Sequence, residues 1–237
     1  MKKQLLKSAL VAVAGVGLMV GSASAFPSFD PGDLYEWNAQ PYYTLTDFTT
    51  ATADAIVFER EAAWAHTFGF YTVDDFANPT SVTNYLQIFD KTADQLDESV
   101  VKFFDNNDGT WDVSVNDGTL VSFGITWGFY YEIYTGGTND TTIDYVWYSD
   151  KRFNRLGDGT PFDTEYNHVY IAYNDFGNTA KIYLDDQPYS FADRDFNDFT
   201  VRVSDVKPIP EPTTMLLFGS GLLGLAALGR RRNSGKA

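Results

Sequence analysis

Along thirteen consecutive residues, from Val121 to Ile133, every second position is apolar: Val121, Phe123, Ile125, Trp127, Phe129, Tyr131 and Ile133. A period of two is the spacing of a strand with one buried face, whereas a helix repeats its apolar residues at three and four. The same alternation recurs at Trp111, Val113 and Val115, at Ile143, Tyr145 and Trp147, and at Val169, Ile171 and Tyr173. A closing strand sets Phe199, Val201 and Val203 inward and Thr200, Arg202 and Ser204 outward, as expected of an antiparallel sheet with one wet face.

Burial also sets a register. A two-residue Asp117-Gly118 turn would pair Val113 with Ser122 and place the two apolar sets on opposite faces. A three-residue loop over Asn116-Asp117-Gly118 pairs Val113 with Val121 and Trp111 with Phe123, so this loop is predicted, with Gly118 left-handed. Helix signals are sparse: Thr92 to Val100 is read as a short helical turn, and Ala51 to Ala65 fits either strand or helix. An internal echo, Thr67-Phe68-Gly69-Phe70-Tyr71 against Thr126-Trp127-Gly128-Phe129-Tyr130, suggests equivalent strands in two halves or chance among many aromatics. Alternating strands separated by Gly, Asn and Asp turns must bury two inner faces. The fold class is therefore all-β, an antiparallel two-sheet sandwich or jelly-roll-like domain.

The two ends of the chain read differently. Lys2, Lys3 and Lys7 precede an apolar stretch from Ala9 to Val20 and then Ala23-Ser24-Ala25, the pattern of a secretory signal peptide over residues 1–25, cut by signal peptidase before Phe26. At the other end Pro210-Glu211-Pro212 is followed by an uncharged run from Thr213 to Gly229 and then by Arg230-Arg231-Arg232. Counted from Pro212 the run holds 18 residues. As a helix it spans roughly 27 Å, close to a hydrocarbon core of ~30 Å. The arginines stop it on the cytoplasmic side of the inner membrane.

This ending resembles the PEP-CTERM protein-sorting signal of Gram-negative bacteria that make exopolysaccharide. The resemblance implies a tail over residues 208–237 that is recognised by an exosortase, a membrane protease that cuts near Pro-Glu-Pro and passes the protein to the cell surface. Transient inner-membrane anchoring would then give way to the surface or an extracellular biofilm matrix; a permanent anchor is the alternative. Between the signals, residues 26–207 form one exported β-rich domain.

Seven of the 17 basic residues sit in the two ends, so the exported part carries 10 against 32 acids, counting Glu211. That charge argues against nucleic acid and anionic lipid as partners. Of the acids, 25 are Asp and seven are Glu, and eight of the Asp adjoin Gly or Asn, where short carboxylates suit turns and hard cations. Cysteine is absent, which excludes disulfides and thiolate metal sites.

The densest chemical signal is Asp193-Arg194-Asp195-Phe196-Asn197-Asp198. Asp193, Asp195 and Asn197 continue the parity of Phe199 and Val201, where bare carboxylates are costly. The segment must bend away or hold a cation with Asp198 closing the shell. Oxygen donors in an extracellular loop favour calcium over magnesium or zinc. The alternative is a solvated loop in which Asp198 caps the backbone and Phe196 packs.

Tyr148-Ser149 through Asn154, Tyr166 to Tyr170, Tyr183-Leu184-Asp185-Asp186 and Asp193 to Asp198 resemble the exported β-rich module called domain of unknown function 4114, with a likeness over roughly Ala51 to Val203. That resemblance implies an all-β fold and a surface location, without an established activity. Leu184-Asp185 stands where Phe-Glu is expected, a departure that bears on Asp185 as a further calcium ligand.

Asp105 to Asp112 lacks the spacing of an EF-hand loop and reads as a turn. His66 and His168, the two histidines, read as packed or strand residues. Nucleophile elbows, phosphate loops and zinc-protease motifs are absent. The expectation is a non-catalytic, calcium-stabilised surface or matrix protein. One alternative is a carbohydrate-binding module acting on exopolysaccharide through Tyr42, Tyr43, Tyr130, Tyr134, Trp147 and Tyr148. A remoter one is a glycoside hydrolase using two carboxylates.

Overall fold

A computed structural model of the protein describes residues 41–48, 51–60, 64–76, 78–108, 110–174, 178–190, 192 and 196–209. The processing residues Ala23, Ala25, Pro210, Glu211, Pro212, Arg230, Arg231 and Arg232 lie outside the described residues. The strands are β1 (Tyr43–Leu45), β2 (Thr52–Glu59), β3 (Ala65–Val73), β4 (Val82–Phe89), β5 (Glu98–Asp105), β6 (Trp111–Val115) and β7 (Val121–Phe123). They continue as β8 (Gly128–Tyr134), β9 (Tyr145–Tyr148), β10 (Arg155–Leu156), β11 (Val169–Asn174), β12 (Thr179–Leu184), β13 (Phe199–Val203) and β14 (Val206–Pro208). The described residues contain no α-helix, only a 3-10 turn at Lys151–Phe153.

One sheet has the order β10-β9-β8-β3-β4 and the other β11-β12-β13-β2-β5-β6-β7, with all neighbours antiparallel. Their inner faces share one core: Phe68, Phe70, Trp127, Phe129, Tyr131 and Trp147 from one side meet Val57, Phe103, Ile182, Phe199 and Val201 from the other. Phe103 stacks on Trp127 at 4.9 Å and Tyr131 meets Phe199 edge-on at 5.9 Å. Each such side chain, wholly withdrawn from water, contributes about 1.5–3 kcal/mol.

The thirteen-residue alternation is two strands rather than one. The chain runs through β7 in the seven-stranded sheet, leaves it at Gly124 and enters the five-stranded sheet at Gly128 as β8. Inward parity survives the crossing because the facing sheets share one interior, and Phe123, Trp127, Phe129, Tyr131 and Ile133 are all buried in the common core.

The β6–β7 register is as predicted, Val113 opposite Val121 and Trp111 opposite Phe123. Its turn is not. Asn116 and Asp117 take the positive φ values, 52° and 59°, while the Gly118 N–H donates to the Val115 carbonyl at 2.9 Å. Asn and Asp tolerate left-handed backbone, so a tight turn forms one residue early and the slack is taken up before Val121. Thr92 to Val100 does not coil either. Asp90 accepts from the Thr92 N–H at 2.7 Å, Leu96 has φ 72°, and the Leu96 N–H donates to the Val57 carbonyl, drawing the segment into pairing with β2. Ala51 to Ala65 resolves in favour of strand over Thr52–Glu59.

The internal echo marks two neighbouring strands. β3 and β8 run antiparallel with Phe70 opposite Phe129, Gly69 opposite Tyr130 and Tyr71 opposite Gly128. A Cβ on Gly69 would collide with the Tyr130 ring, and one on Gly128 with the Tyr71 ring. Each glycine makes room for the other strand's tyrosine, which lays an aromatic layer of Tyr42, Tyr71, Tyr130 and Tyr148 on the outer face of this sheet. Finally, β1 pairs with β14, and the Ile209 N–H donates to the Tyr42 carbonyl at 3.0 Å, so the described body begins and ends at one place.

Candidate functional site

Two of the acids that sequence reasoning singled out, Asp185 and Asp198, lie close to the end of β12. Inward alternation of Ala180, Ile182 and Leu184 carries the strand to Asp185, whose N–H still pairs with the His168 carbonyl at 3.0 Å. Both Asp185 and Asp186 are buried, although a continuing strand would bury only one of them. Buried carboxylates require compensating hydrogen bonds, and these are present. Asp185 Oδ2 accepts from the Tyr166 hydroxyl at 3.0 Å. Asp186 binds on three sides: its Oδ2 lies 2.9 Å from His66 Nε2 in β3, its carbonyl accepts from the Trp147 indole N–H at 3.0 Å, and its own N–H donates to Asp198 Oδ2 at 2.8 Å.

Burial, helped by the charge of Arg60, pushes the His66 imidazole down to about 3, so the ring is neutral and its contact with Asp186 is a hydrogen bond rather than an ion pair. Among the described residues His66 Nδ1 has no hydrogen-bond partner. His168 is pushed down to about 4 by burial, against the opposing pull of Asp163. It stacks on Trp147 with centroids 3.8 Å apart, and its Nδ1 faces the Asp185 carbonyl at 3.3 Å. Both histidines are thus packed, as the sequence suggested, and both orient the acidic junction.

Of the proposed metal set, Asp198 reaches the amide of Asp186, the residue after Asp185, Asn197 is half-buried beside Asp198, and Asp193 and Asp195 lie outside the described residues. Phe196 has φ 54°, which breaks the extended register that would have aimed Asn197 into the core. Its ring packs edge-on against Tyr170 at 5.6 Å on the outer face of the seven-stranded sheet. That cover corrects one expectation: Thr200, assigned to the solvent face, is fully buried, paired across the ladder with Tyr183 of the same outer cluster. Among the described residues no group of three or more His, Asp or Glu is arranged to hold a metal. Asp186 was missed in the site; its signal was a second carboxylate directly after an alternating strand.

The other candidates separate cleanly. Asp105–Asp112 is a turn, with Asp105 accepting from the Asn107 N–H at 2.7 Å and Asp108 from the Thr110 N–H at 2.9 Å. The six aromatics considered for sugar stacking, Tyr42, Tyr43, Tyr130, Tyr134, Trp147 and Tyr148, are all buried, so none presents a ring face to solvent.

Compared with known families, residues 208–232 match the PEP-CTERM protein-sorting motif. The match begins at the last residue of β14 and covers the tail; nothing in the comparisons supports the likeness of the body to domain of unknown function 4114. No curated protein and no solved structure matches the chain. Because such motifs are recognised by exosortase, the chain is an exported protein sorted through its C-terminus.

Proposed function

We propose that the protein is a non-catalytic component of the cell surface or extracellular matrix whose acidic junction binds calcium. The observation that carries this reading is the burial of Asp185, Asp186 and Asp198 in one place, with Asp193 and Asp195 following in the same connection. Hydrogen bonds from Tyr166, His66 and the Asp186 amide hold these carboxylates in place. A hard cation held by oxygens of Asp185, Asn197 and Asp198, joined by Asp193 and Asp195, would offset their mutual repulsion and tie the β12–β13 connection down. Calcium then acts as a folding ligand, present outside the cell and scarce inside it. The pairing of β1 with β14 agrees with this role, since the body closes on itself before the sorting motif runs on.

The test is a thermal melt of the purified full-length chain in calcium and in chelator. At a calcium concentration a hundredfold above Kd, linkage predicts about 2.7 kcal/mol of added stability and a higher midpoint. Equal midpoints would remove calcium from the proposal.

A further inference from the structure

We propose that a cleft on the opposite face of the five-stranded sheet binds a carboxylate-bearing saccharide. The cleft, about 410 Å³, lies between the segment Pro79–Val82 leading into β4 and the segment from Arg152 to Pro161 around β10. That volume falls in the range of small-molecule sites. Its lining holds two arginines, Arg152 and Arg155, and no acid, in a chain with 32 acids and 17 bases.

Arg155 is prepared for an anion. Its guanidinium lies over the rings of Tyr85 and Tyr148, 5.7 and 5.5 Å from their centroids, and donates to the Tyr85 hydroxyl at 2.6 Å. The Tyr85 and Tyr148 hydroxyls are themselves joined at 2.7 Å. Among the described residues no carboxylate pairs with Arg155. The rings fix the plane of the guanidinium and strip water from one side, leaving other N–H groups to fork onto a carboxylate. Arg152 is held by Asp150, Nε to Oδ1 at 2.8 Å, yet its side chain remains 56% exposed. A saccharide fits the remainder. Thr80, Ser81 and Gly159 line the cleft with small groups, the Thr80 hydroxyl donating to Asp74 and keeping its lone pairs for a ligand hydroxyl, and Tyr85, outside that lining and 42% exposed, offers a ring beside Arg155. The acidic body repels densely charged polyanions, so the ligand carries its charges sparsely, as a polysaccharide with one uronate per repeat does.

The experiment is calorimetric titration of the full-length chain, in detergent, with a hyaluronan hexasaccharide, a neutral maltohexaose and a glutamate hexapeptide. The expected result is saturable binding of the hyaluronan fragment alone, weakened about tenfold or more in Arg155→Gln. Arg155→Lys keeps the charge over the rings and loses the fork; it is expected to melt like the parent and still bind about tenfold more weakly, which separates recognition from folding. Absence of binding, equal binding of maltohexaose or the peptide, or undiminished affinity in Arg155→Lys would each overturn the assignment.

Discussion

Trp147 and Tyr148 are neighbours in β9, and they stand on opposite sides of the sheet in opposite electrostatic surroundings. Trp147 points inward, donates to the Asp186 carbonyl and stacks on His168, so it anchors the acidic junction. Tyr148 points outward, bonds Tyr85 and lies under Arg155, which lines the basic cleft. One strand thus supports two polar sites of opposite sign. Inside, every polar group is cut off from water, and losing one partner strands another. Outside, water can replace a lost partner, so the same kind of change costs less.

This contrast can be broken at its largest point by Trp147→Ala. The indole is wholly buried among Tyr145, Phe162 and His168, and its removal leaves both a cavity and an unsatisfied Asp186 carbonyl. A loss of about 3–5 kcal/mol is expected, read by urea denaturation. A loss below about 1 kcal/mol would mean that β9 does not anchor the junction.

The next effect is acid-dependent. His66 is neutral in the folded protein down to about pH 3, whereas the unfolded chain protonates it near 6.5. Its contribution is therefore fully present above pH 6.5 and is lost as the pH falls toward 3, because only the unfolded state takes the proton. By pH 5 the cost is on the order of 1–2 kcal/mol. Melting His66→Gln beside the parent at fixed calcium checks this: the variant should show a flatter decline, and parallel curves would refute it.

The smallest effect belongs to the outer face. Tyr148→Phe removes the hydroxyl that meets Tyr85 and keeps the ring under Arg155. About 1 kcal/mol is expected, with the cleft intact. A cost equal to that of Trp147→Ala would erase the distinction between the two faces.

The parts of the molecule that followed a local rule were legible in the sequence. Alternation located β6, β7, β8, β9, β11 and β13, and matching the apolar sets placed Val113 against Val121, although Val121 itself stays 39% exposed. The acidic block was visible as charge density, and one of its members, Asp198, accepts from the amide of Asp186, next to the proposed ligand Asp185. Two errors share one cause. Thr200 was assigned to solvent and Thr92–Val100 to a helical turn, and in each case a residue distant in sequence decided the outcome: Tyr183 opposite Thr200, and Val57 drawing Leu96 into a ladder. The alternative of a sugar face on six aromatics was closed by their burial.

By itself, the sequence determined that this chain builds antiparallel strands and carries a sorting tail, because both are written in spacing and order along the backbone. Only the tertiary structure decided that Asp186 would be the hub of the acidic junction and that Arg155 would lie over Tyr85 and Tyr148. The contacts of Asp186 with Trp147 and His66 join residues 39 and 120 positions apart, and no local periodicity encodes which strands a sheet brings side by side.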